Sequence, residues 1–175
     1  MAAVTATGET IIHNAASEPH VQELCHFLNG LGAKIRDIGS NTLHITGVPQ
    51  LHGGEFTIGP DYLEVISFAG AAAVTGGEIR IRKAGVHYLE MITQAFRRLG
   101  MQWQVEEDDI FITSNQSLVV VPDLDGAIPE IKTNVWPAYP TDLISVAITV
   151  ATRLRVRFYS MTGCIRAVCI SQINW

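Results

Sequence analysis

An internal repeat constrains the fold of this chain more than any other feature of its sequence. The stretch AAVTATGETIIHNA at 2–15 returns as AAVTGGEIRIRKA at 72–84, with one residue dropped. An amphipathic segment follows each copy and ends in LGAKI at 31–35 or LGMQW at 99–103. The spacing of about 68 residues is longer than a typical solenoid period, so we predict two copies of one small α/β unit.

Each copy has the pattern of a strand, a helix and a second strand. ETIIH and EIRIR have the alternation that is typical of strands. In the first helix Ser17 is the predicted N-cap, with Glu18 and Pro19 in the first turn. Each helix then has an apolar stripe predicted to face the core and a glycine predicted to end it. The stripes are Val21, Leu24, Cys25, Leu28 and Leu31 in the first helix, and Leu89, Ile92, Phe96 and Leu99 in the second.

Further helices are predicted before and after the second copy. One begins near Asp61 and another runs from Thr141 to about Ala151. The opening residues match only the end of such a helix, so we expect its first turns to be missing before Met1. A third strand should follow Ala151, but the stretch 152–175 contains no strand, cap or stripe that matches the repeat.

A change of reading frame would account for this tail. When the third base of each codon is read with the first two bases of the next, the code permits GSVLFHDWMYQSRLYFADKL from Arg155 to Trp175. Only two of those residues, a leucine and an aspartate, are forced by the present sequence. The shifted sequence restores a copy of the repeat, so we expect the frame to be shifted after about residue 152 and the tail from about 153 to be atypical.

Composition and charge exclude several classes of protein. Hydrophobic residues make up 47% of the chain and charged residues 17%, which is typical of folded globular proteins. The net charge of −5 gives no reason to expect nucleic acid as a partner. No apolar run reaches the roughly 18 residues of a membrane helix, and no signal peptide is recognisable. The three cysteines do not suggest a disulfide framework, so the predicted location is the cytoplasm, away from membranes.

Metal-site signals in the sequence are weak. Cys25, His20 and His26 are close in sequence but scattered around one helix, without the spacing of a zinc site. We therefore predict that no metal is bound.

The segment VWPAYPTDLISVAI at 135–148 places two prolines directly before a helix. Thr141 is the predicted cap and Asp142 lies in the first turn, where a carboxylate stabilises the helix by about 0.3–1 kcal/mol. An acidic residue at a helix start is by itself weak evidence for a catalytic site. A carboxylate can also orient a substrate hydroxyl and accept its proton. From the residues alone, a structural and a catalytic role for Asp142 both stay open.

Four stretches carry a family resemblance over residues 1 to about 152. TIIHNAASEPHVQELCHFLNGLGAKI, GPDYLEV, AAAVTGGEIRIRKAG and WPAYPTDLISVAI together resemble the UDP-N-acetylglucosamine enolpyruvyl transferases. The resemblance implies an α/β (α+β) fold, an inverted α/β barrel of two domains, each built from three βαβαββ-like units and here incomplete. Residues 1–60 would belong to the first lobe and 61–175 to the second.

The resemblance also implies an activity and a role for Asp142. The family transfers the enolpyruvyl group of phosphoenolpyruvate to the 3-hydroxyl of UDP-N-acetylglucosamine, the first committed step of peptidoglycan synthesis, without a metal or organic cofactor. Asp142 matches the aspartate that binds the sugar hydroxyl and is the candidate for its general base. A hydrophobic nucleotide-site residue would fall at Cys164, in the shifted tail, and we do not assign that role to Cys164. The residues that bind phosphoenolpyruvate fall before Met1 and beyond Trp175, so the isolated chain is expected to be inactive.

Two alternatives stay open. The chain could be a fragment of the sister enzyme that acts on shikimate 3-phosphate, although the PAYPTD context disfavours it. It could also be an α/β binding module without catalytic activity. Upstream DNA that encodes a Lys-Asn pair near the true start and an Arg-rich loop would favour the UDP-N-acetylglucosamine enzyme.

Overall fold

The computed structural model describes residues 1–122, 124 and 129–154, and the backbone of 158–162 and 165–169. The chain divides into two compact units, Met1–Gly59 and Pro60–Trp175. The buried residues of each unit form a hydrophobic cluster of their own. The assignment of these units to two lobes of an enzyme stays a prediction.

The first unit contains a small antiparallel sheet and a helix. Its elements are a 3-10 turn at Ala2–Thr5, β1 (Glu9–His13), α1 (Pro19–Gly30), β2 (Lys34–Arg36) and β3 (Thr42–Thr46). The last strand, β3, lies in the middle and pairs with β1 on one side and β2 on the other. Alternate residues of β3, Leu43 and Ile45, are buried in one cluster with Cys25 and Leu28 of α1. This two-residue period is that of a strand with one face on the core.

The second unit repeats this arrangement. Its first elements are α2 (Tyr62–Thr75), β4 (Ile79–Ile81), a 3-10 turn at Val86–Tyr88, α3 (Glu90–Arg98), β5 (Gln104–Glu106) and β6 (Asp109–Ile112). The strand β6 pairs antiparallel with β4 and β5, just as β3 pairs with β1 and β2. The predicted second copy of one α/β unit is therefore confirmed. The predicted stripe of α3 is also confirmed, because Leu89, Ile92, Phe96 and Leu99 are all buried.

Local chemistry sets the ends of α2 and α3. A carboxylate oxygen of Asp61 accepts a hydrogen bond from the Leu63 N–H at 2.8 Å, which caps α2 near its predicted start. Gly76, which ends α2, has a φ of 68°, a left-handed conformation that suits glycine. Gly100, which follows α3, has a φ of 73°, and a Cβ there would clash with the backbone of Val119. The predicted glycine stop after α3 is confirmed.

The start of α1 differs from the prediction. The N-cap is Glu18 and not Ser17, because Pro19 takes the first helical position, where its missing N–H leaves no donor unsatisfied. The Glu18 side chain makes no capping hydrogen bond within the described chain. Ser17 is buried, and its carbonyl accepts a hydrogen bond from the Gln22 side chain at 2.7 Å.

Leu24 of α1 was predicted to lie in the core, but it is 38% exposed. Its side chain lines an open apolar groove together with Phe27 and Phe56. The rings of Phe27 and Phe56 meet edge-on at 5.5 Å, so the irregular segment after β3 covers Phe27 and leaves Leu24 at the surface. The residue of α1 that enters the core next to it is Cys25.

The rest of the second unit contains β7 (Glu130–Lys132), α4 (Ile144–Ala151), β8 (Phe158–Thr162) and β9 (Ile165–Cys169). The strand β8 pairs in parallel with β7 and antiparallel with β9. Two strands therefore follow α4, although no strand in this stretch was recognised as a match to the repeat, and the parallel pairing of β8 with β7 differs from the antiparallel pairing of the two repeated sheets. The stretches FYSMT and IRAVC are rich in aromatic and β-branched residues, which favour strands whether or not the reading frame is shifted.

Parts of the tail lie outside the described residues. These are 155–157, 163–164, which include Cys164, and 170–175, so the reading-frame hypothesis stays a prediction. Within the ranges that are described, no helix is both long enough and apolar enough to cross a membrane.

Candidate active site

A closed loop leads from β7 into α4 and carries the PAYPTD segment. Thr133 and Tyr139 form an isolated β-bridge, and the Asn134 N–H donates a hydrogen bond to the Tyr139 carbonyl at 3.1 Å. Within the loop, the Ala138 N–H donates to the Val135 carbonyl at 3.1 Å. These bonds hold the two ends of the loop together immediately before the helix.

Aromatic rings attach this loop to the core of the second unit. Tyr139 is 3% exposed, and its ring lies 6.4 Å from that of Phe96 in α3. The Trp136 ring lies 5.4 Å from Tyr62, the first residue of α2, and 6.2 Å from Tyr88. Aromatic pairs at such distances each stabilise a fold by about 0.5–1.5 kcal/mol beyond their buried area. The loop before α4 is therefore packed against the beginning of α2.

A 3-10 turn, Thr141–Leu143, separates the loop from α4. The Leu143 N–H donates to the Pro140 carbonyl at 3.2 Å, and Leu143 is the N-cap of α4. The predicted cap, Thr141, was wrong. Because the turn is closed by bonds over three residues, the α-helix begins at Ile144, and Thr141 lies exposed without a capping bond within the described chain.

Asp142 lies in the middle of this turn and is exposed. Its neighbour Leu143 is fully buried, so the turn directs Asp142 away from the core, as predicted. The Asp142 carbonyl accepts a hydrogen bond from the Ser145 hydroxyl at 3.5 Å. In the part of the chain that the structure describes, its carboxylate has no hydrogen-bond or ion-pair partner. The catalytic and substrate-binding role of Asp142 stays a prediction.

Sequence reasoning missed the contact that fixes the backbone beside Asp142. The Tyr139 hydroxyl donates a buried hydrogen bond to the Leu143 carbonyl at 2.9 Å. Burial raises the pKa of Tyr139 well above its ordinary value of 10, so the hydroxyl keeps its proton and stays a donor. The sequence feature that could have predicted this contact is Tyr139, which lies four residues before the helix cap Leu143 and is followed directly by Pro140.

Comparison with known proteins assigns the chain to a family. A profile of EPSP synthase (3-phosphoshikimate 1-carboxyvinyltransferase) matches residues 1–157. The chain belongs to this family of carboxyvinyl transferases. The enolpyruvyl transferase NikO from Streptomyces tendae has a similar structure, with a TM-score of 0.73 and 21% identity over 92% of this chain and 37% of that one. The predicted enolpyruvyl transferase fold is confirmed.

Curated relatives of this chain share the name UDP-N-acetylglucosamine 1-carboxyvinyltransferase. The protein of Borreliella burgdorferi is 46% identical over 154 residues, that of Bradyrhizobium diazoefficiens 48% over 153, and that of Treponema pallidum 47% over 154. The matches cover 87–88% of this chain. The chain spans 36% of the length of each relative, so most of each relative lies outside the matched part.

The other titratable groups considered from the sequence, which belong to the first unit, do not form a metal site of their own within the described residues. Among the described residues, no group of three or more His, Cys, Asp or Glu is arranged to hold a metal ion. Cys25 is a buried free thiol of the first unit, whereas His20 and His26 are exposed. Burial raises the pKa of Cys25, and the amino terminus opposes this shift. Asp142 therefore remains the candidate for the chemistry.

Proposed function

We propose that this chain is part of an enzyme that transfers the enolpyruvyl group of phosphoenolpyruvate to the 3-hydroxyl of UDP-N-acetylglucosamine. The identity of 46–48% to curated proteins of that name carries the proposal. The exposed Asp142, at the end of a loop fixed by its own hydrogen bonds, supports it. This reaction would make the enzyme the first committed step of peptidoglycan synthesis.

Asp142 would act as the base for the sugar hydroxyl. The hydroxyl oxygen attacks C2 of phosphoenolpyruvate, and the hydroxyl proton passes to the Asp142 carboxylate as the new C–O bond forms. The methylene carbon gains a proton in this addition and loses one when the C–O bond to phosphate breaks. Groups outside this chain would donate the methylene proton and take it back, and the released phosphate would take up the proton that Asp142 had accepted. An exposed carboxylate without a partner in the described chain is available to accept a hydrogen bond from such a hydroxyl.

The test uses a chimaera in which residues 1–152 of this chain replace the matching segment of the Borreliella burgdorferi relative. This chimaera is called the completed enzyme below. The completed enzyme should release phosphate from phosphoenolpyruvate only when UDP-N-acetylglucosamine is present. Turnover with shikimate 3-phosphate instead would contradict the proposal and favour the 3-phosphoshikimate 1-carboxyvinyltransferase reaction, which the family profile names. A chimaera that folds, by circular dichroism, and turns over neither acceptor would favour a binding module and contradict the proposal.

The proposal includes a cytoplasmic location and small-molecule partners. The net charge of −5 offers no general attraction for nucleic acid. A free buried thiol at Cys25 is typical of proteins in a reducing compartment. Fractionation of cells that express the tagged protein should place it with cytoplasmic markers, and recovery with membranes would contradict this part.

A further inference from the structure

Tyr139 contacts the chain on both sides of Asp142. On the N-terminal side its backbone is paired with Thr133, and its carbonyl accepts the Asn134 N–H. On the C-terminal side its hydroxyl donates to the carbonyl of Leu143, the residue directly after Asp142. The buried Tyr139 side chain therefore links the two ends of the segment 139–143, which contains Asp142.

We propose that the Tyr139 hydroxyl is a positioning group, which holds the Asp142 carboxylate in the place where it meets the sugar hydroxyl. This inference rests on the proposed function, because it acts through Asp142. Tyr139 is 3% exposed and does not itself reach the solvent-facing side of the turn.

The turn needs such a constraint. Three-residue hydrogen bonding gives a 3-10 turn poorer geometry than an α-helix. Within the described residues, no side-chain bond holds the Asp142 carboxylate, so its place depends on the backbone that carries it. A displacement of 1 Å at a catalytic group can lower a rate by about 10²-fold. A bond to the adjacent carbonyl limits that displacement.

Removal of the hydroxyl should leave the fold intact. The Phe ring of a Tyr139→Phe variant would fill the same space beside Phe96. The Leu143 carbonyl, as the N-cap carbonyl of α4, also accepts the first intrahelical bond, so the variant does not orphan it. A rate change in this variant would therefore report on position more than on packing.

The experiment compares Tyr139→Phe with Thr149→Val in the completed enzyme. Thr149 donates its hydroxyl to the Ser145 carbonyl at 2.9 Å on the exposed side of the same helix, so the control also removes a hydroxyl-to-carbonyl bond. We expect Tyr139→Phe to lower kcat by about tenfold. The KM for phosphoenolpyruvate and the urea midpoint should stay close to those of the parent. Thr149→Val should change none of these quantities.

A double variant separates this inference from the proposed function. If Tyr139 acts through Asp142, Tyr139→Phe should cause no further loss of kcat once Asp142→Asn is present. An equal loss in both backgrounds, or a normal kcat for Tyr139→Phe beside a slow Asp142→Asn, would overturn the role of Tyr139 alone. A normal kcat for Asp142→Asn would overturn the proposed base and this inference together.

Discussion

Alanine substitution at Gly100 and Gly76 tests how the second unit is packed. Both glycines follow helices and have almost the same φ, 73° and 68°. Alanine in that left-handed conformation costs roughly 1–2 kcal/mol, partly offset by a gain of about 0.4–1 kcal/mol from a less flexible unfolded chain. The two sites differ in their surroundings: a Cβ at Gly76 meets nothing within 4 Å, whereas a Cβ at Gly100 would clash with the backbone of Val119.

The segment that carries Val119 cannot move away easily. The Val121 N–H donates to the Arg98 carbonyl at 2.9 Å, and the Ser117 hydroxyl donates to the Gly100 carbonyl at 3.1 Å. Overpacking against fixed neighbours costs about 1–3 kcal/mol. Gly76→Ala should therefore lower the free energy of unfolding by up to about 1.5 kcal/mol, and Gly100→Ala by about 2–4 kcal/mol.

Tryptophan fluorescence during urea unfolding measures this difference. The three tryptophans lie at 103, 136 and 175, all outside the first unit, so the signal reports the second unit. The m-values of the two variants should match that of the parent chain. Equal losses for the two glycines would show that the segment at Val119 yields without cost, and the packing argument would be wrong.

Four further predictions follow from residues described above. Asp142→Asn in the completed enzyme should lower kcat by about 10²-fold or more in a phosphate-release assay, with an unchanged urea midpoint; normal turnover would favour the structural role. The isolated chain should release no phosphate with both substrates present, and robust turnover would contradict the assignment of the phosphoenolpyruvate-binding groups to other parts of the enzyme. Asp61→Ala removes the cap of α2 and should cost about 0.5–2 kcal/mol of the free energy of unfolding, with Asp61→Asn close to the parent. In a Cys164→Ser, Cys169→Ser background, the raised pKa of Cys25 should slow alkylation of this thiol near pH 8 until urea is added. The free energy of unfolding should fall as the pH rises above about 8.5, the pKa of an unfolded thiol. Fast alkylation of the folded chain would show that the thiol is accessible.

The sequence predicted best those features that depend on local pattern and on repetition. The stripe of α3 and the glycine after it follow from helical spacing and from the conformation that only glycine adopts without cost. Leu24 was misplaced because an irregular segment, which has no periodic signal, decides which side of α1 is covered. Thr141 was misplaced because a 3-10 turn, which is frequent at the N-termini of α-helices, occupies the predicted first turn and moves the start of the α-helix to Ile144. Asp142 was proposed as a site residue through the resemblance, and that role stays a prediction. The hydroxyl of Tyr139 was missed because its bond to Leu143 appears only once the loop is closed.

The strand order of the two repeated sheets determines when each can form during synthesis. In both sheets the central strand is the last of the three in the chain, β3 in the first and β6 in the second. The edge strands do not pair with each other, so neither has a hydrogen-bonding partner until that last strand arrives. A nascent chain that ends before Thr42 therefore contains a helix and two unpaired strands but no sheet. Because Thr46 is the last residue of the first sheet, that sheet can form during synthesis, before the second unit has been made.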